Sequence, residues 1–225
     1  DVYPHKNLYE IKNYCKEKNI DYASYVYRFD LDIKPYLEKI YDTMLNAIQR
    51  GLESEGTLHG DLHVIRKAKS LYNAHKKESD ELKRKRRLIA FAYAVAEENA
   101  SGGEIVTAPT CGASGIIPSC LRTMLEAGIS KDKLIDGLAV AGLFGNLIKF
   151  NASISGAEAG CQAEVGSACS MASAMIAHVY GLSLDSIEQA AEIALEHHLG
   201  LTCDPIMGYV QIPCIERNAA AALAD

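Results

Sequence analysis

Three cysteines lie beside turn-forming residues, where a thiol can turn toward a shared metal. They are Cys161 in AGCQ, Cys203 in LTCDP and Cys214 in IPCIE. Thiolates are ligands of zinc and of iron–sulfur clusters. The gaps of 42 and 11 residues match no short zinc or ferredoxin spacing, and buried free cysteine is common. Spacing alone therefore favours packing over a metal site and leaves both open.

The chain has seven cysteines, an odd number. Cys15, Cys120 and Cys169 fall inside helical patterns, so we expect them to pack in the core. Cys111 lies in the glycine-rich segment TAPTCGASG, where a turn would expose it. In a reducing compartment such cysteines are thiols, metal ligands or nucleophiles rather than disulfides.

Glycine-rich runs at Ser101 to Gly103 and Thr110 to Gly115 offer backbone N–H groups and hydroxyls suited to binding a carboxylate. Neither run fits the P-loop or the dinucleotide fingerprint. Tight helix packing explains them equally well. A third polar cluster precedes Cys161 and consists of Asn151, Ser153, Ser155 and Glu158.

His197 and His198 close a predicted helix at EHHLG. A histidine at a helix C-terminus interacts favourably with the helix dipole without any catalytic role. This structural explanation is favoured over a functional one.

The elements that position these cysteines, hydroxyls and histidines are predicted to be helices. Residues 1–100 are polar and rich in Tyr and Lys, whereas residues 101–225 are rich in Ala, Gly, Ser and Cys. Apolar residues recur at three- and four-residue spacing in the first half, which predicts a helical flank. Its predicted helices are Asn7 to Lys18, Pro35 to Gly51, and a stretch from about Leu62 through Ala100, with a loop from Leu52 to His63.

The second half alternates glycine-rich connectors with small-residue helices and is predicted to hold the chemistry. Its predicted helices are Ile117 to Ala127, Lys131 to Lys149, Met171 to Tyr180, Leu184 to His198, and one near Ile215, with NASISGAEAGCQAEVGSACS as a connector. Strand-like segments are brief, at Ile105 to Thr107 and at Tyr209 to Ile212. The prediction is a mainly α-helical domain with little or no sheet.

Composition excludes several classes of protein. A net charge of −6 gives no general attraction to nucleic acid, and the one basic run, Lys83 to Arg87, is best explained as a solvated helix face. No apolar run approaches the roughly 18 residues of a membrane span, and no signal peptide begins the chain. We expect a cytoplasmic protein. The start without Met and the uncapped end suggest a fragment of a longer chain, with residues 1–225 forming one domain.

Three long motifs carry a specific resemblance: EENASGGEIVTAPTCGASGIIPS, NASISGAEAGCQAEVGSACSMASA and AEIALEHHLGLTCDPIMGYVQIPCIERNA. Together they resemble the catalytic region of the iron–sulfur-dependent L-serine dehydratases. The upstream segment EGTLHGDLHVIRKAKSLY is also similar to this family. The resemblance runs from about residue 5 to the end of the chain.

The resemblance implies that Cys161, Cys203 and Cys214 hold a [4Fe-4S] cluster and that Cys111 and Cys169 do not. Three thiolates on four irons leave one iron open to bind a substrate hydroxyl as a Lewis acid. The implied reaction is loss of water from L-serine without pyridoxal phosphate, giving pyruvate and ammonia.

The resemblance further implies substrate contacts from the SGG, TAPT and NASIS segments. The expected substrate-binding residues are Ser101, Gly102, Thr107, Thr110, Asn151 and Ser153. His197 is the candidate base within this chain, although a second, smaller α/β domain or subunit of the same enzyme could contribute a histidine instead. We expect a homodimer. The alternatives are an L-cysteine desulfidase that uses the same open iron, a non-catalytic iron–sulfur sensor or regulatory subunit, and a metal-free helical scaffold.

Overall fold

The computed structural model describes residues 2–74 and 77–225, and these residues form eleven α-helices. In chain order the helices are α1 (Leu8–Lys18), α2 (Tyr22–Phe29), α3 (Ile33–Glu53), α4 (Ala68–Tyr72), α5 (Asp80–Ala100), α6 (Ile116–Glu126), α7 (Lys131–Asn151), α8 (Gly156–Ala159), α9 (Cys161–Val179), α10 (Leu184–His197) and α11 (Cys214–Ala224). Within the same ranges, an isolated bridge between Thr57 and Ile65 is the sole strand-like pairing. The mainly α prediction is confirmed.

Side-chain caps fix where several helices begin. Asn7, Asp21, Ser79 and Ser183 each accept a hydrogen bond from the backbone N–H three residues further on. This bond satisfies one of the donors that the first helical turn leaves without a partner.

The core is centred on α9, which is buried along almost its whole length between α7 and α10. Small residues allow this close packing. A Cβ added at Gly137 of α7 would lie 2.8 Å from Val179 Cγ2, and one at Gly145 would lie 2.7 Å from the Met171 sulfur. Both separations are below normal van der Waals contact, so a larger residue at either glycine would force neighbouring side chains to move where α7 crosses α9.

A second packing centre surrounds α5, which contacts α3, α4 and α11. Gly51 of α3 lies directly against the backbone of Ala94. Two acidic residues of α5 are also buried. Glu97 accepts the N–H groups of Lys67 and Ala68 at the start of α4, and Glu98 pairs with Arg50 and Arg66.

Among the described residues, α7 is long and apolar enough to cross a membrane by length and composition. More than half of its apolar window, 56%, is buried inside the protein. Its apolar character is accounted for by its packing against α9.

Several predicted boundaries differ from the structure. The connector before Met171 is wrong, because Cys161–Ser170 is already helical; its Ala and Ser residues pack between neighbouring helices, which outweighs their loop-like composition. The strand-like segments at 105–107 and 209–212 have no strand partner in the described chain. Helix α2 was not predicted. The predicted stretch from Leu62 through Ala100 forms two helices, and Asp1, His75 and Lys76 lie outside the described residues.

The burial of four cysteines agrees with the prediction from the sequence. Cys15, Cys120 and Cys169 are buried and Cys111 is exposed, as predicted. The basic run lies on the first half of α5, where Arg86 pairs with Glu78.

Candidate active site

The three cysteines of the predicted metal site are placed by two helix starts and one loop. Cys161 is the first residue of α9 and is 3% exposed, and Cys214 is the first residue of α11 and is half-buried. Cys203 is exposed in the loop after α10. Helix N-termini favour thiolates because unpaired N–H groups and the helix dipole stabilise negative charge.

The loop that carries Cys203 is fastened to the start of α9. The Gln162 N–H donates to Leu201 O at 3.0 Å, and the Gly200 N–H donates to the Gln162 side chain at 2.9 Å. Gly160, with φ +79°, makes this approach possible, since a Cβ there would lie 2.6 Å from Leu201 O. Cys161 and Cys203 are thereby held at one end of α9.

Arg217 connects the third segment to the other two. It follows Cys214 by three residues on α11, so both project from the same side of the helix. Its Nη1 donates to Thr202 O at 2.7 Å, and its positive charge opposes the rise in the pKa of the Cys161 thiol. This side chain therefore joins α11 to the Cys203 loop and acts electrostatically on Cys161 at the start of α9.

Electrostatic coupling shows that the three thiols share one environment. Burial raises the pKa of Cys161, and Arg217 opposes that rise. Burial raises the pKa of Cys214 to about 11, and the negative charges of Cys161, Glu164 and Cys203 add to the effect. Each thiol is more easily ionised when a cationic centre joins the group.

Among the described residues, no set of three His, Cys, Asp or Glu side chains is arranged to hold a single metal ion. A four-iron cluster is wider than one ion, so its ligands stand further apart than the ligands of zinc. The donors here are three thiols in one electrostatic environment, and thiolates are the usual ligands of iron–sulfur clusters. The chemistry of this donor set therefore fits an iron–sulfur cluster.

A carboxylate lies beside the thiols. Glu164, one turn after Cys161 on α9, accepts a hydrogen bond from the Thr110 hydroxyl. Two glycines leave space for it: a Cβ at Gly156 would lie 2.5 Å from Glu164 Oε2, and one at Gly112 would lie 3.1 Å from Glu164 Cδ. The glycine-rich run at 110–115 thus makes room for a carboxylate of the protein itself.

Asn218 ties that run to α11. Its side chain is buried, accepts the Gly115 N–H at 2.8 Å, and donates to Gly112 O at 2.7 Å and to Cys214 O at 2.8 Å. The loop that carries Thr110 and the helix that carries Cys214 therefore have a common anchor.

The other predicted substrate residues lie around this centre at different points. Ser101 ends α5 and accepts a hydrogen bond from Arg66 at 2.6 Å, while Gly102 follows in a left-handed turn with φ +74°. The Thr107 hydroxyl lies 3.5 Å from the Cys111 sulfur. Thr107 also lines a mainly apolar cavity of about 750 Å³ between α2, α3 and α7.

Asn151 is the last residue of α7, and Ser153 lies in the loop between α7 and α8. Asn151 donates to Leu147 O at 2.9 Å and to Lys6 O at 3.2 Å, whereas Ser153 donates to Glu158 at 2.6 Å. Ser153 precedes the short helix α8, which ends at the start of α9.

His197 lies elsewhere. It lines a separate cavity of about 580 Å³, which is formed with Tyr180, Ile193 and Asp225 and contains none of the three cysteines. The neighbouring His198 is buried and its Nδ1 is 2.7 Å from Ala194 O. Thr110 contacts Glu164 beside the cysteines, whereas His197 lines a cavity that contains none of these residues.

Sequence reasoning missed three residues of this centre: Glu164, Arg217 and Asn218. Helical spacing could have indicated the first two, since each follows a candidate cysteine by three residues. No local feature of the sequence identifies Asn218.

Comparison with known proteins adds independent evidence. Residues 9–224 match the model of the family described as serine dehydratase alpha chain. This chain belongs to that family. The L-serine dehydratase of Haemophilus influenzae is 45% identical over 98% of this chain and 51% of its own length. L-serine dehydratase 2 of Escherichia coli is 42% identical over 98% of this chain and 51% of its own length.

A third relative, the L-serine dehydratase of Streptomyces coelicolor, is 44% identical over 98% of this chain and 50% of its own length. The chain therefore spans about half the length of the curated serine dehydratases that it matches. As a member of the alpha chain family, it carries the three cysteines and their supporting residues within the matched region.

Proposed function

We propose that this chain is the cluster-bearing catalytic part of an L-serine dehydratase, which converts L-serine to pyruvate and ammonia. The observation that carries the proposal is the convergence of Cys161, Cys203 and Cys214 beside Glu164 and Thr110. Membership of the alpha chain family supports the same reaction. In this proposal residues 1–100 form a helical flank and residues 101–225 hold cluster and substrate.

The three thiolates would hold a [4Fe-4S] cluster, which when bound supplies an open iron that polarises the hydroxyl of serine as a Lewis acid. The remaining work falls to protein groups. Loss of hydroxide also requires removal of the Cα proton by a base within hydrogen-bond reach. His197 stays the candidate proposed from the sequence, but it would have to act from outside the cysteine centre, so a base from another domain is the alternative.

The polar residues around the centre are proposed to position the substrate. Ser101, Gly102, Thr107, Thr110, Asn151 and Ser153 are the proposed substrate-binding residues. Hydroxyls and free backbone N–H groups in such runs bind a carboxylate without needing a charged partner. Holding serine in one orientation places its hydroxyl and Cα proton for elimination, which accounts for a large part of a typical enzymatic rate gain.

The test is the substitution Cys203→Ala. Cys203 is exposed, so its removal leaves no cavity in the core. We expect the variant to bind little iron after anaerobic reconstitution and to form no pyruvate from L-serine. Cys15→Ala is the control, because Cys15 is buried in α1, outside the three cysteine-bearing segments, and its loss should leave the iron content per folded chain unchanged. Unaltered iron content and turnover in Cys203→Ala would refute the proposal.

The related desulfidase reaction is distinguished by its product. Relatives named L-serine dehydratase favour serine, so pyruvate release from L-serine should exceed sulfide release from L-cysteine on the same reconstituted sample. A cluster without pyruvate would favour a sensor or regulatory subunit.

The assembly is part of the proposal. The relatives are about twice as long as this chain, and we infer that a second α/β domain or subunit completes the enzyme, with a homodimer as the assembled form. Light scattering on the complete protein measures its molar mass and hence its oligomeric state. All seven cysteines are free thiols, which accords with a reducing cytoplasmic compartment.

A further inference from the structure

The carboxylate of Glu164 is a charged group whose partner is not supplied by the described part of the chain. Its one hydrogen bond there comes from the Thr110 hydroxyl, and no Lys, Arg or His nitrogen lies within ion-pairing distance of it. Its side chain is partly buried. Such a carboxylate is available to bind a cationic group of a ligand.

Glu164 lies near two of the three thiols. Cys161 and Cys214 lie close enough to Glu164 for its negative charge to raise the pKa of both thiols. Arg217 opposes this at Cys161 and Cys214, but it does not pair with Glu164 itself.

The position of the carboxylate is also fixed. Thr110 holds one oxygen, and the backbones at Gly112 and Gly156 leave no room for even a methyl group between themselves and the carboxylate. A fixed acceptor loses little side-chain entropy when it binds a ligand, which is a requirement for selective recognition.

We propose that Glu164 binds the α-ammonium group of the substrate and thereby selects an amino acid over a hydroxy acid. This inference rests on the proposed serine dehydratase function, and it assigns a residue that determines specificity within that site. L-serine has a carboxylate, an ammonium and a hydroxyl. Glu164 would repel the carboxylate and attract the ammonium, so it fixes which end of the substrate faces α9.

The test uses two ligands that differ only at this group. L-glycerate has the carboxylate and the β-hydroxyl of L-serine but carries a hydroxyl in place of the ammonium. In Glu164→Gln, the amide keeps the volume that fits between Gly112 and Gly156 and removes the charge. We expect KM for L-serine to rise about 10- to 100-fold, as for loss of a hydrogen bond to a charged group, with a smaller change in kcat.

The binding of L-glycerate, measured by anaerobic titration calorimetry, should be unchanged or tighter in the same variant, because no ammonium is involved. Glu164→Asp, which keeps the charge, should retain a preference for L-serine over L-glycerate. Glu192→Gln, an exposed residue of α10, is the matched control and should alter neither ligand.

The possible results distinguish failure of the proposed role of Glu164 from failure of the proposed function. Equal weakening of both ligands, or no weakening of L-serine, would overturn the role of Glu164. Loss of iron from Glu164→Gln would overturn it as well, because the residue would then support the cysteine segments instead of the substrate. If the unaltered enzyme with bound iron made no pyruvate from L-serine, the proposed function itself would fail.

Discussion

Asn218 offers the most direct test of how the site is supported. It is 1% exposed and makes three hydrogen bonds that join α11 to the loop from Gly112 to Gly115. Asn218→Ala removes all three. Cys214 O also belongs to the helical hydrogen-bond ladder of α11, so the groups left without a partner are the Gly115 N–H and Gly112 O.

Each buried polar group that loses its partner costs about 1–3 kcal/mol. Two such groups predict that Asn218→Ala lowers the free energy of unfolding by about 2–6 kcal/mol. The companion substitution Asn218→Asp keeps the acceptor for Gly115 but turns the donor into a carboxylate oxygen facing two carbonyls. It should be at least as destabilising at neutral pH and less so at low pH, where a protonated carboxyl can donate.

Urea unfolding of the full chain, followed by circular dichroism, measures these changes as a shift in midpoint at constant slope. Asn146→Ala, an exposed residue of α7, is the control and should change stability by no more than about 0.5 kcal/mol. A change of that small size in Asn218→Ala would show that the loop does not depend on this anchor, and the reasoning from buried hydrogen bonds would be refuted.

Three further predictions concern other contacts. Arg217→Gln should release iron to a chelator about 10-fold faster than the unaltered protein, because the charge-assisted hydrogen bond from Arg217 to the Cys203 loop is lost. The decrease in cluster absorbance after addition of the chelator measures this rate. Gly51→Ala should destabilise the protein by about 1–3 kcal/mol, since the new Cβ would lie 2.6 Å from Ala94 Cα. Gly142→Ala, with open space around the new Cβ, should instead stabilise it by about 0.5–1 kcal/mol, and thermal unfolding measures both changes. Burial raises the pKa of Glu97, so the folded protein binds the carboxyl proton more tightly than the unfolded chain does. The free energy of unfolding should therefore fall as pH rises through the folded pKa, and Glu97→Gln should flatten that part of the plot of stability against pH.

Each of these has a contrary result. Identical iron release from Arg217→Gln would mean that the Cys203 loop is held without the guanidinium. Equal effects at the two glycines would mean that the close approach of α3 to α5 relaxes at little cost. An unchanged pH profile after substitution of Glu97 would show that the group titrates alike in both states.

The sequence determined the helical class and most helix positions, because periodicity and capping residues act over a few neighbouring positions. It also separated the buried thiols Cys15, Cys120 and Cys169 from the exposed Cys111. The resemblance to the family came from three long motifs, which can be compared with other sequences residue by residue without knowing the fold. The composition of the segment before Met171 was misleading, because Ala, Ser and Gly occur both in loops and in tightly packed helices.

Tertiary structure alone decided which groups meet. Thr110 and Glu164 are 54 residues apart, and Asn218 reaches Gly115 across 103 residues. No local pattern records such pairs, because they depend on how α9 and α11 pack against the glycine-rich loop. The same packing places His197 at a cavity whose lining includes none of the three cysteines. Residue types thus defined the available chemistry, and the packing of helix ends determined which of those residues can act together.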